Sequence, residues 1–214
     1  MTDRPPLIVL GTTLFATEIA DVATEAGFEV TGFVENLDRG KCASDLDGRP
    51  VHWIEDCDSL LATHRAVCGL GTTRRSIFTD QAAGVGLRFA TVVHPTAHVS
   101  RTSTIGEGSI VGVGVVVAAH AEIGRHVLLN RGSMVGHHTR IGDHVSVLPG
   151  ANIAGSCVVG RAAYVGMGSI VIDHLSIGDE SVVGAGAVVV EDVPPNVQVV
   201  GIPAKIVKRG VRGR

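Results

Sequence analysis

The sequence has very few aromatic residues: Phe, Trp and Tyr make up only 3% of its 214 residues, although 45% are hydrophobic. Helical cores and base-stacking surfaces depend on rings and long side chains. This composition therefore disfavours an all-helical bundle, an aromatic-rich cleft and a nucleic-acid stacking platform. The chain instead has 28 glycines beside abundant Val and Ile, a combination typical of strands and tight turns.

A strong charge of either sign is also absent. The formal net charge is −3 and the isoelectric point is near 6.3, so there is no electrostatic footprint for nucleic acid or an anionic membrane. No charged-then-apolar leader opens the sequence, and no apolar run reaches the ~20 residues that span a bilayer. We therefore expect a soluble, cytoplasmic protein without a nucleic-acid partner or membrane insertion.

Cysteines are few and follow no metal-site or disulfide spacing. The four are Cys42, Cys57, Cys68 and Cys157, and no CxxC occurs. We expect reduced, mostly buried thiols that pack rather than react.

The first 90 or so residues alternate between strand-like and helix-like patterns. Strands are predicted over residues 6–10, 28–34, 66–70 and 87–93, and helices over 14–26 and 74–83. Gly27 closes the first helix. This alternation is typical of βαβ units with a parallel sheet, so we expect an α/β, Rossmann-like domain over residues 1–93.

Ligands of parallel sheets bind at the carboxyl ends of the strands. Here those ends carry Gly11-Thr12-Thr13, Glu35-Asn36 and Gly71-Thr72-Thr73. No GxGxxG phosphate loop is present, because Gly11 is followed by Thr, Thr, Leu and Phe. Two interpretations stay open: a nucleotide site built from backbone amides and Thr hydroxyls, or ordinary strand-to-helix turns.

The remaining sequence repeats with a period of six. Every sixth residue is Val, Ile or Leu at sixteen consecutive positions, and the residue two before is usually small. This period fits neither a helix nor simple strand alternation, and it predicts a parallel β-helix built from short strands. The sixteen positions are Val99, Ile105, Val111, Val117, Ile123, Leu129, Val135, Ile141, Val147, Ile153, Val159, Val165, Val171, Ile177, Val183 and Val189.

Three hexads should close one triangular turn, so residues eighteen apart are expected to lie above one another. Two histidine pairs have this spacing, His120 with His138 and His126 with His144. The same rule puts Ala119 below His137 and Gly155 above it. An imidazole between two such small residues has room beside it for a reacting group.

Three short segments carry a resemblance to known proteins. They are Val-Val-His-Pro-Thr-Ala at residues 92–97, Asn-Arg-Gly-Ser-Met-Val-Gly-His-His at 130–138, and Gly-Ile-Pro-Ala-Lys at 201–205. With the leading βαβ domain, they resemble the hexapeptide-repeat acetyltransferases that modify nucleotide-linked amino sugars and sialic acids in bacterial glycan pathways. The resemblance covers nearly the whole chain.

The resemblance implies a left-handed β-helix over residues 94–214 and a homotrimer with active sites between subunits. It also implies acetyl-CoA as cosubstrate along the coils, a nucleotide sugar held by the N-terminal domain, and acetyl transfer to the sugar's amine or hydroxyl. His137 matches the family's catalytic base, a role suited to a side chain with a pKa of ~6.5.

Two positions depart from the family pattern. The carboxylate that usually follows the base is replaced by His138, so either His138 supports the base more weakly or an orienting acid comes from elsewhere, such as another subunit. Ser146 stands where a histidine near the thioester is common, and its hydroxyl can still donate to the thioester oxygen.

Other roles are carried over position by position. Gly155 and Met167 would line the acetyl-CoA groove, and Lys205 would meet CoA phosphates, with Lys208 and Arg209 beside it. In the first domain the substrate-facing residues would be Gly11, Glu35, Asn36 and Gly71. A solvated tail is the alternative for the basic residues.

Two other classes of function remain open. His138 and His174 are two coils apart, and β-helical carbonic anhydrases hold zinc between subunits with histidines spaced by whole turns, although no third histidine completes a site here. A non-catalytic trimerising scaffold is the other alternative. Stabilisation by acetyl-CoA, bound zinc, or neither would separate the three.

Overall fold

The computed structural model describes residues 4–214, and they form two connected parts. The first part is a parallel four-stranded sheet with two helices, in the strand order β3-β2-β1-β4. Its strands are β1 (Leu7–Leu10), β2 (Val30–Glu35), β3 (Val51–Trp53) and β4 (Arg65–Cys68), and its helices are α1 (Leu14–Glu25) and α2 (Ser76–Gly84). Short 3-10 turns occupy Arg39–Ala43, Ile54–Asp56, Asp58–Leu60 and Thr73–Arg75.

The local sequence explains these elements. All four residues of β1 are buried, which suits a continuous apolar run at the centre of a parallel sheet. Helix α1 begins where the Thr13 side chain accepts a hydrogen bond from the Ala16 amide, and it ends before Gly27, whose φ is +85°. The predicted strands and helices up to α2 are confirmed within a few residues, but β3 was missed.

The second part is a coil of two-residue strands. From β6 onward each strand ends at one of the sixteen predicted hexad positions, and each strand of the coil pairs in parallel with the strand eighteen residues away, as Glu122 does with Arg140. The strands, in order, are β5 (Val92–Val93), β6 (His98–Val99), β7 (Thr104–Ile105), β8 (Ile110–Val111), β9 (Val116–Val117), β10 (Glu122–Ile123), β11 (Leu128–Leu129), β12 (Met134–Val135), β13 (Arg140–Ile141), β14 (Ser146–Val147), β15 (Asn152–Ile153), β16 (Val158–Val159), β17 (Tyr164–Val165), β18 (Ile170–Val171), β19 (Ser176–Ile177), β20 (Val182–Val183) and β21 (Val188–Val189).

Three parallel sheets form the sides of this coil. They are a six-stranded sheet (β21-β18-β15-β12-β9-β6), a five-stranded sheet (β19-β16-β13-β10-β7) and an eight-stranded sheet that also contains β22 (Val197–Val200) and the antiparallel β23 (Lys205–Arg209). One branched aliphatic residue per hexad fills the thin core between them. The stacked parallel sheets fit a left-handed β-helix, so this part of the predicted fold is confirmed.

The corners of the coil impose a second six-residue rule. One residue in each hexad from Gly108 to Gly186 has a positive φ, and where it is not glycine it is often histidine, as at His120 (+60°) and His138 (+58°). Non-glycine residues tolerate this left-handed conformation poorly, and histidine, asparagine and aspartate tolerate it best. The paired histidines therefore occupy corner positions at which the backbone requires a positive φ.

The last predicted strand of the first part, residues 87–93, is corrected by the structure. Phe89 forms only an isolated bridge with Ala66, whereas Val92 and Val93 pair with Ile110–Val111 of the coil. The chain leaves the first sheet here because Val92 and Val93 make their backbone hydrogen bonds with the coil. The division at residues 93 and 94 remains a prediction, and this pairing favours a start of the β-helix two residues earlier.

The first part packs against the outer side of the eight-stranded sheet. Val92, Ile110 and Leu128 point outward from that sheet, yet all three are buried in one cluster with Ile19 and Ala23 of α1. Each apolar side chain buried in this way contributes about 1.5–3 kcal/mol. The contact fixes the carboxyl ends of β1 and β4 close to the coil.

Candidate active site

The three predicted ligand-binding turns of the first part lie at one edge of its sheet. Gly11 follows β1, Glu35 ends β2 and Gly71 follows β4, and these parallel strands are neighbours. Gly11 has a φ of +107°, and a Cβ atom there would lie 2.8 Å from the Leu70 side chain, so the turn requires glycine. The sequence prediction that these residues come together is consistent with this topology.

Glu35 organises this edge from inside the protein. Its Oε2 accepts hydrogen bonds from the Thr12 hydroxyl and from Lys41 Nζ at 3.1 Å, and its Oε1 accepts from the amides of Asn36 and Leu37 at 2.9 and 2.8 Å. Burial raises the pKa of Glu35, but these hydrogen bonds outweigh it and hold the pKa at about 2. The carboxylate shapes the turn, and Asn36 in turn donates to Gln81 at 2.8 Å.

A cavity of about 370 Å³ lies between this edge and the β-helix. Gly71 and Phe15 line its first side, while Met167 and Tyr164 line the second. Gly71 has room for a ligand close to its backbone, since a Cβ there would still lie 3.7 Å from the Phe15 ring. Gly71, predicted to face the nucleotide sugar, and Met167, predicted to line the acetyl-CoA groove, border the same cavity, and Phe15 and Tyr164 were not predicted there.

Ser146 lies elsewhere, and its predicted place near a thioester is corrected. Its side chain is fully buried, donating to the Gly71 carbonyl at 3.1 Å and accepting from Arg75 Nη1 at 2.7 Å. The first part of the chain covers this position on β14, so the hydroxyl is committed to an internal contact. Arg75 was not predicted, because nothing in its own sequence neighbourhood distinguishes it from the exposed Arg74.

His137 is exposed at the corner between the six-stranded and five-stranded sheets. Gly155 lies against its ring: a Cβ on Gly155 would be 2.7 Å from Cε1 and 2.8 Å from Nε2 of the imidazole. The predicted stacking of Gly155 on His137 is thus observed, and it explains why this coil position has no side chain. No hydrogen bond is made by Nε2 of His137 within residues 4–214, so this nitrogen is available for proton transfer.

His138, the next residue, turns its ring toward His137. The two Nδ1 atoms are 3.2 Å apart, and the ring of His120 lies 4.8 Å from that of His138 between ring centres. His126 and His144 form the other predicted stack, at 5.1 Å, but this pair lies under the first part of the chain.

The basic tail is ordered along the β-helix. Lys205, on β23, is exposed and lies 3.4 Å from Glu191, so its ammonium already has a carboxylate neighbour. Farther on, the Arg214 carbonyl accepts from the Thr73 amide at 2.7 Å, and its guanidinium lies over the Tyr164 ring at 5.3 Å. Arg214 thereby borders the cavity described above.

Within residues 4–214, no three His, Cys, Asp or Glu side chains come close enough to hold a metal ion. His138 and His174 therefore gain no third ligand in the described part of this chain. The helices there are also too short or too polar to cross a membrane. The four cysteines are unpaired; Cys57, Cys68 and Cys157 are buried, and Cys42 is only partly so.

No protein-family model matches the chain, and no curated protein sequence matches it. Solved structures do. PerB from Caulobacter crescentus was determined in complex with CoA and GDP-perosamine. It is 30% identical to this chain, with a TM-score of 0.87, and the alignment covers 95% of this chain and 97% of PerB. A variant of that perosamine N-acetyltransferase, with one histidine replaced by asparagine, was determined with the same two ligands.

Two further structures come from other bacteria. The acetyltransferase domain of PglB from Neisseria gonorrhoeae FA1090, in complex with acetyl coenzyme A, is 28% identical over 95% of this chain and 100% of that one, with a TM-score of 0.88. WeeI from Acinetobacter baumannii AYE is 26% identical over 94% and 99% of the two chains, with a TM-score of 0.83.

The fold and the exposed corner histidine define an acyltransferase of the β-helical class. The chain belongs to the hexapeptide-repeat sugar N-acetyltransferases, the family that its sequence resembles.

Proposed function

We propose that this protein transfers an acetyl group from acetyl-CoA to the amine of a nucleotide-linked sugar, with His137 as general base. The observation that carries the proposal is His137 itself, an exposed imidazole backed by Gly155 at a coil corner, in a fold shared with PerB and PglB. PerB was determined with CoA and GDP-perosamine, and PglB with acetyl coenzyme A. A hydroxyl acceptor would use the same base.

The chemistry requires one proton acceptor. As the amine nitrogen attacks the thioester carbon, a C–N bond forms, the C–S bond breaks and the amine loses a proton. His137 Nε2 accepts that proton and returns it to the departing thiolate, so the enzyme ends in its starting state. A base placed and oriented in this way contributes about 10²–10⁴-fold to the rate.

The first part of the chain would bind the nucleotide sugar as a Rossmann-like domain over residues 1–93. The strand order β3-β2-β1-β4 supports this, because doubly wound sheets bind ligands where the strand order reverses, here between β1 and β4. The turns after these two strands carry Gly11 and Gly71, and the cavity at Gly71 is large enough for part of a sugar nucleotide. Glu35 and Asn36 would hold the neighbouring turn in place.

A homotrimer would complete the site. The outer side of the six-stranded sheet, next to the corner of His137, exposes Val116, Met134 and Ile170 at 38%, 41% and 45%. Asn152 lies between Met134 and Ile170, but the exposed surface here is mainly apolar, and such a surface supports an interaction with another subunit. Gly155 and Lys205 would then border the acetyl-CoA groove between two subunits, with Met167 on the nucleotide side. The proposal includes a location in the cytoplasm.

The test is to incubate the protein with acetyl-CoA and a panel of GDP-, UDP- and dTDP-amino sugars, following free thiol and the acetylated product by mass spectrometry. We expect His137→Asn to lower kcat at least 100-fold. His174→Asn is the matched control, since His174 is an exposed histidine at the same corner two coils away. Wild-type turnover in His137→Asn would overturn the assignment of the base. Thermal stabilisation by zinc rather than acetyl-CoA would favour the metal alternative.

A further inference from the structure

His137 and His138 share a contact that requires one hydrogen-bond donor and one acceptor. Their Nδ1 atoms are 3.2 Å apart with the rings nearly perpendicular, at 83°. A nitrogen–nitrogen hydrogen bond needs a proton on one atom and a lone pair on the other. One Nδ1 therefore donates, the other accepts, and the two histidines cannot both carry a proton at this position.

The backbone of the coil fixes both rings in this contact. Gly155 lies against the face of the His137 imidazole. The His138 amide donates to the Ala119 carbonyl at 3.0 Å, and the His138 ring is stacked on His120 at 4.8 Å with a tilt of 35°. Each ring also contacts a residue on a neighbouring coil. The stacking of the coils therefore helps to bring the two Nδ1 atoms together.

The surroundings of the pair lack a carboxylate partner. The charged and titratable groups around it are His120 on the coil below, the Arg140–Glu122 ion pair on the following strands, and the Asp173–His174 pair two coils above. Across residues 4–214, no Asp or Glu forms a hydrogen bond or ion pair with either histidine. The group that orients His137 in this chain is therefore another imidazole.

We propose that neutral His138 accepts the Nδ1–H of His137, and so keeps the lone pair of His137 on Nε2, where the base needs it. His138 acts as a positioning residue in place of the carboxylate expected in this family. The inference rests on the proposed function, in which His137 is the base. The hydrogen bond made by one ring nitrogen decides which tautomer the ring adopts, so His138 selects the reactive form.

The proton count follows from this arrangement. When His137 takes the amine proton on Nε2, its Nδ1–H continues to donate to His138, and the positive charge is shared with a neutral ring. A second proton on His138 Nδ1 would bring two N–H groups face to face and would break this hydrogen bond. A neutral partner stabilises an imidazolium less than a carboxylate does. Asp at this position would therefore stabilise the charged form of His137 more than His138 does.

Variants of His138 test the inference through their pH profiles. Ala is tolerated at such a corner, because Ala162 has a φ of +53° at an equivalent position, and Asn and Asp suit positive φ as well. We expect His138→Ala to lower kcat about tenfold or more with little change in KM for acetyl-CoA. His138→Asn, whose amide oxygen can accept, should restore part of kcat. His138→Asp should raise the acid-side pKa of kcat/KM by about one unit.

An NMR measurement separates this inference from the proposed function. In histidine-labelled wild-type protein without substrates, ¹⁵N chemical shifts report the tautomer, and His137→Asn assigns the signals. We expect His137 to be protonated at Nδ1 near pH 7.5 and His138 to be unprotonated there. A His137 protonated at Nε2 overturns the inference, as does His138→Ala with wild-type kcat and pH profile. If no acceptor is acetylated, the proposed function fails, while the tautomers still decide the assignment of the pair.

Discussion

The guanidinium of Arg75 donates a hydrogen bond to the Ser146 hydroxyl at 2.7 Å, and this buried contact joins the two parts of the chain. Arg75 also donates to the carbonyls of Thr72, His126 and Val145, at 2.7, 2.9 and 2.6 Å. No carboxylate pairs with it within residues 4–214. Burial lowers the pKa of Arg75 to about 10, so the side chain stays charged at neutral pH and is held by carbonyl oxygens and the Ser146 hydroxyl.

Replacing this arginine should loosen the contact between the first part and the β-helix. Arg75→Met keeps most of the volume but leaves several buried carbonyls without a donor, each costing about 1–3 kcal/mol. We expect a loss of about 2–4 kcal/mol in unfolding free energy, seen as a lower urea midpoint. Arg74→Ala removes the exposed neighbour and should stay within about 0.5 kcal/mol of wild type. Equal effects of the two substitutions would contradict the assigned role of Arg75.

The buried histidines predict that stability falls on mild acidification. Burial lowers the pKa of His126 to about 4 and also lowers that of His144. In the unfolded chain His126 takes up a proton below about pH 6.5, whereas in the folded protein it does so only near pH 4, so stability decreases as the pH falls through this window. The lowered pKa of His144 acts in the same direction. The loss attributable to His126 is at most about 3 kcal/mol. Unfolding midpoints between pH 7 and 5 measure it.

The contribution of His126 to the pH dependence of stability falls in a different pH range from that of Glu35. The pKa of Glu35 is held at about 2, below its unfolded value, so its contribution is lost only below about pH 4.5. His126→Asn is a suitable control, because the backbone φ of +52° at this corner accepts asparagine. The variant should show a flatter dependence of stability on pH between 7 and 5. An unchanged slope would mean that His126 already binds a proton in the folded protein.

Gly155→Ala should impair catalysis without unfolding the coil. The backbone at Gly155 does not have a positive φ, but the new Cβ would lie 2.7 Å from the His137 ring, which must then turn away. Because a misplacement of about 1 Å in a reacting group can cost 10²-fold, we expect kcat to fall at least tenfold. Gly84→Ala, at an open position at the end of α2, is the control for folding and activity. Wild-type kcat in Gly155→Ala would argue against the placement of His137 as base.

The sequence predicted the β-helix closely because its rule is local. A hexad residue such as Val135 points inward whatever the rest of the chain does, and the eighteen-residue stacking follows from closure of each turn. This stacking rule alone was enough to predict that Gly155 lies beside His137. The backbone also explains the histidine pairs, since a corner residue with positive φ recurs at the same spacing.

Prediction was weaker where the two parts of the chain meet. Ser146 occupies an outward position, and an outward serine gives no sign that another part of the chain covers it. The apolar outward residues Ile110 and Leu128 are consistent with such a cover, but the outward Val116 and Met134 have the same character and remain exposed. Arg75 could not be found from its neighbours, since its burial is decided by contacts seventy residues away.

The proposed trimer makes the last prediction. Met134 is exposed on the six-stranded sheet, where it lies next to the exposed Val116 and is separated from the exposed Ile170 by Asn152. Met134→Glu would bury an unpaired carboxylate in each subunit contact, at a cost of several kcal/mol, and should convert the trimer to monomers in sedimentation velocity. Ser176→Glu places the same charge on the exposed five-stranded sheet and should leave the mass unchanged. Acetyl transfer should fall with the trimer, since we expect a second subunit to complete the site. A Met134→Glu protein that sediments as the wild type would remove this sheet from the interface, and a monomeric wild type would refute the trimer itself.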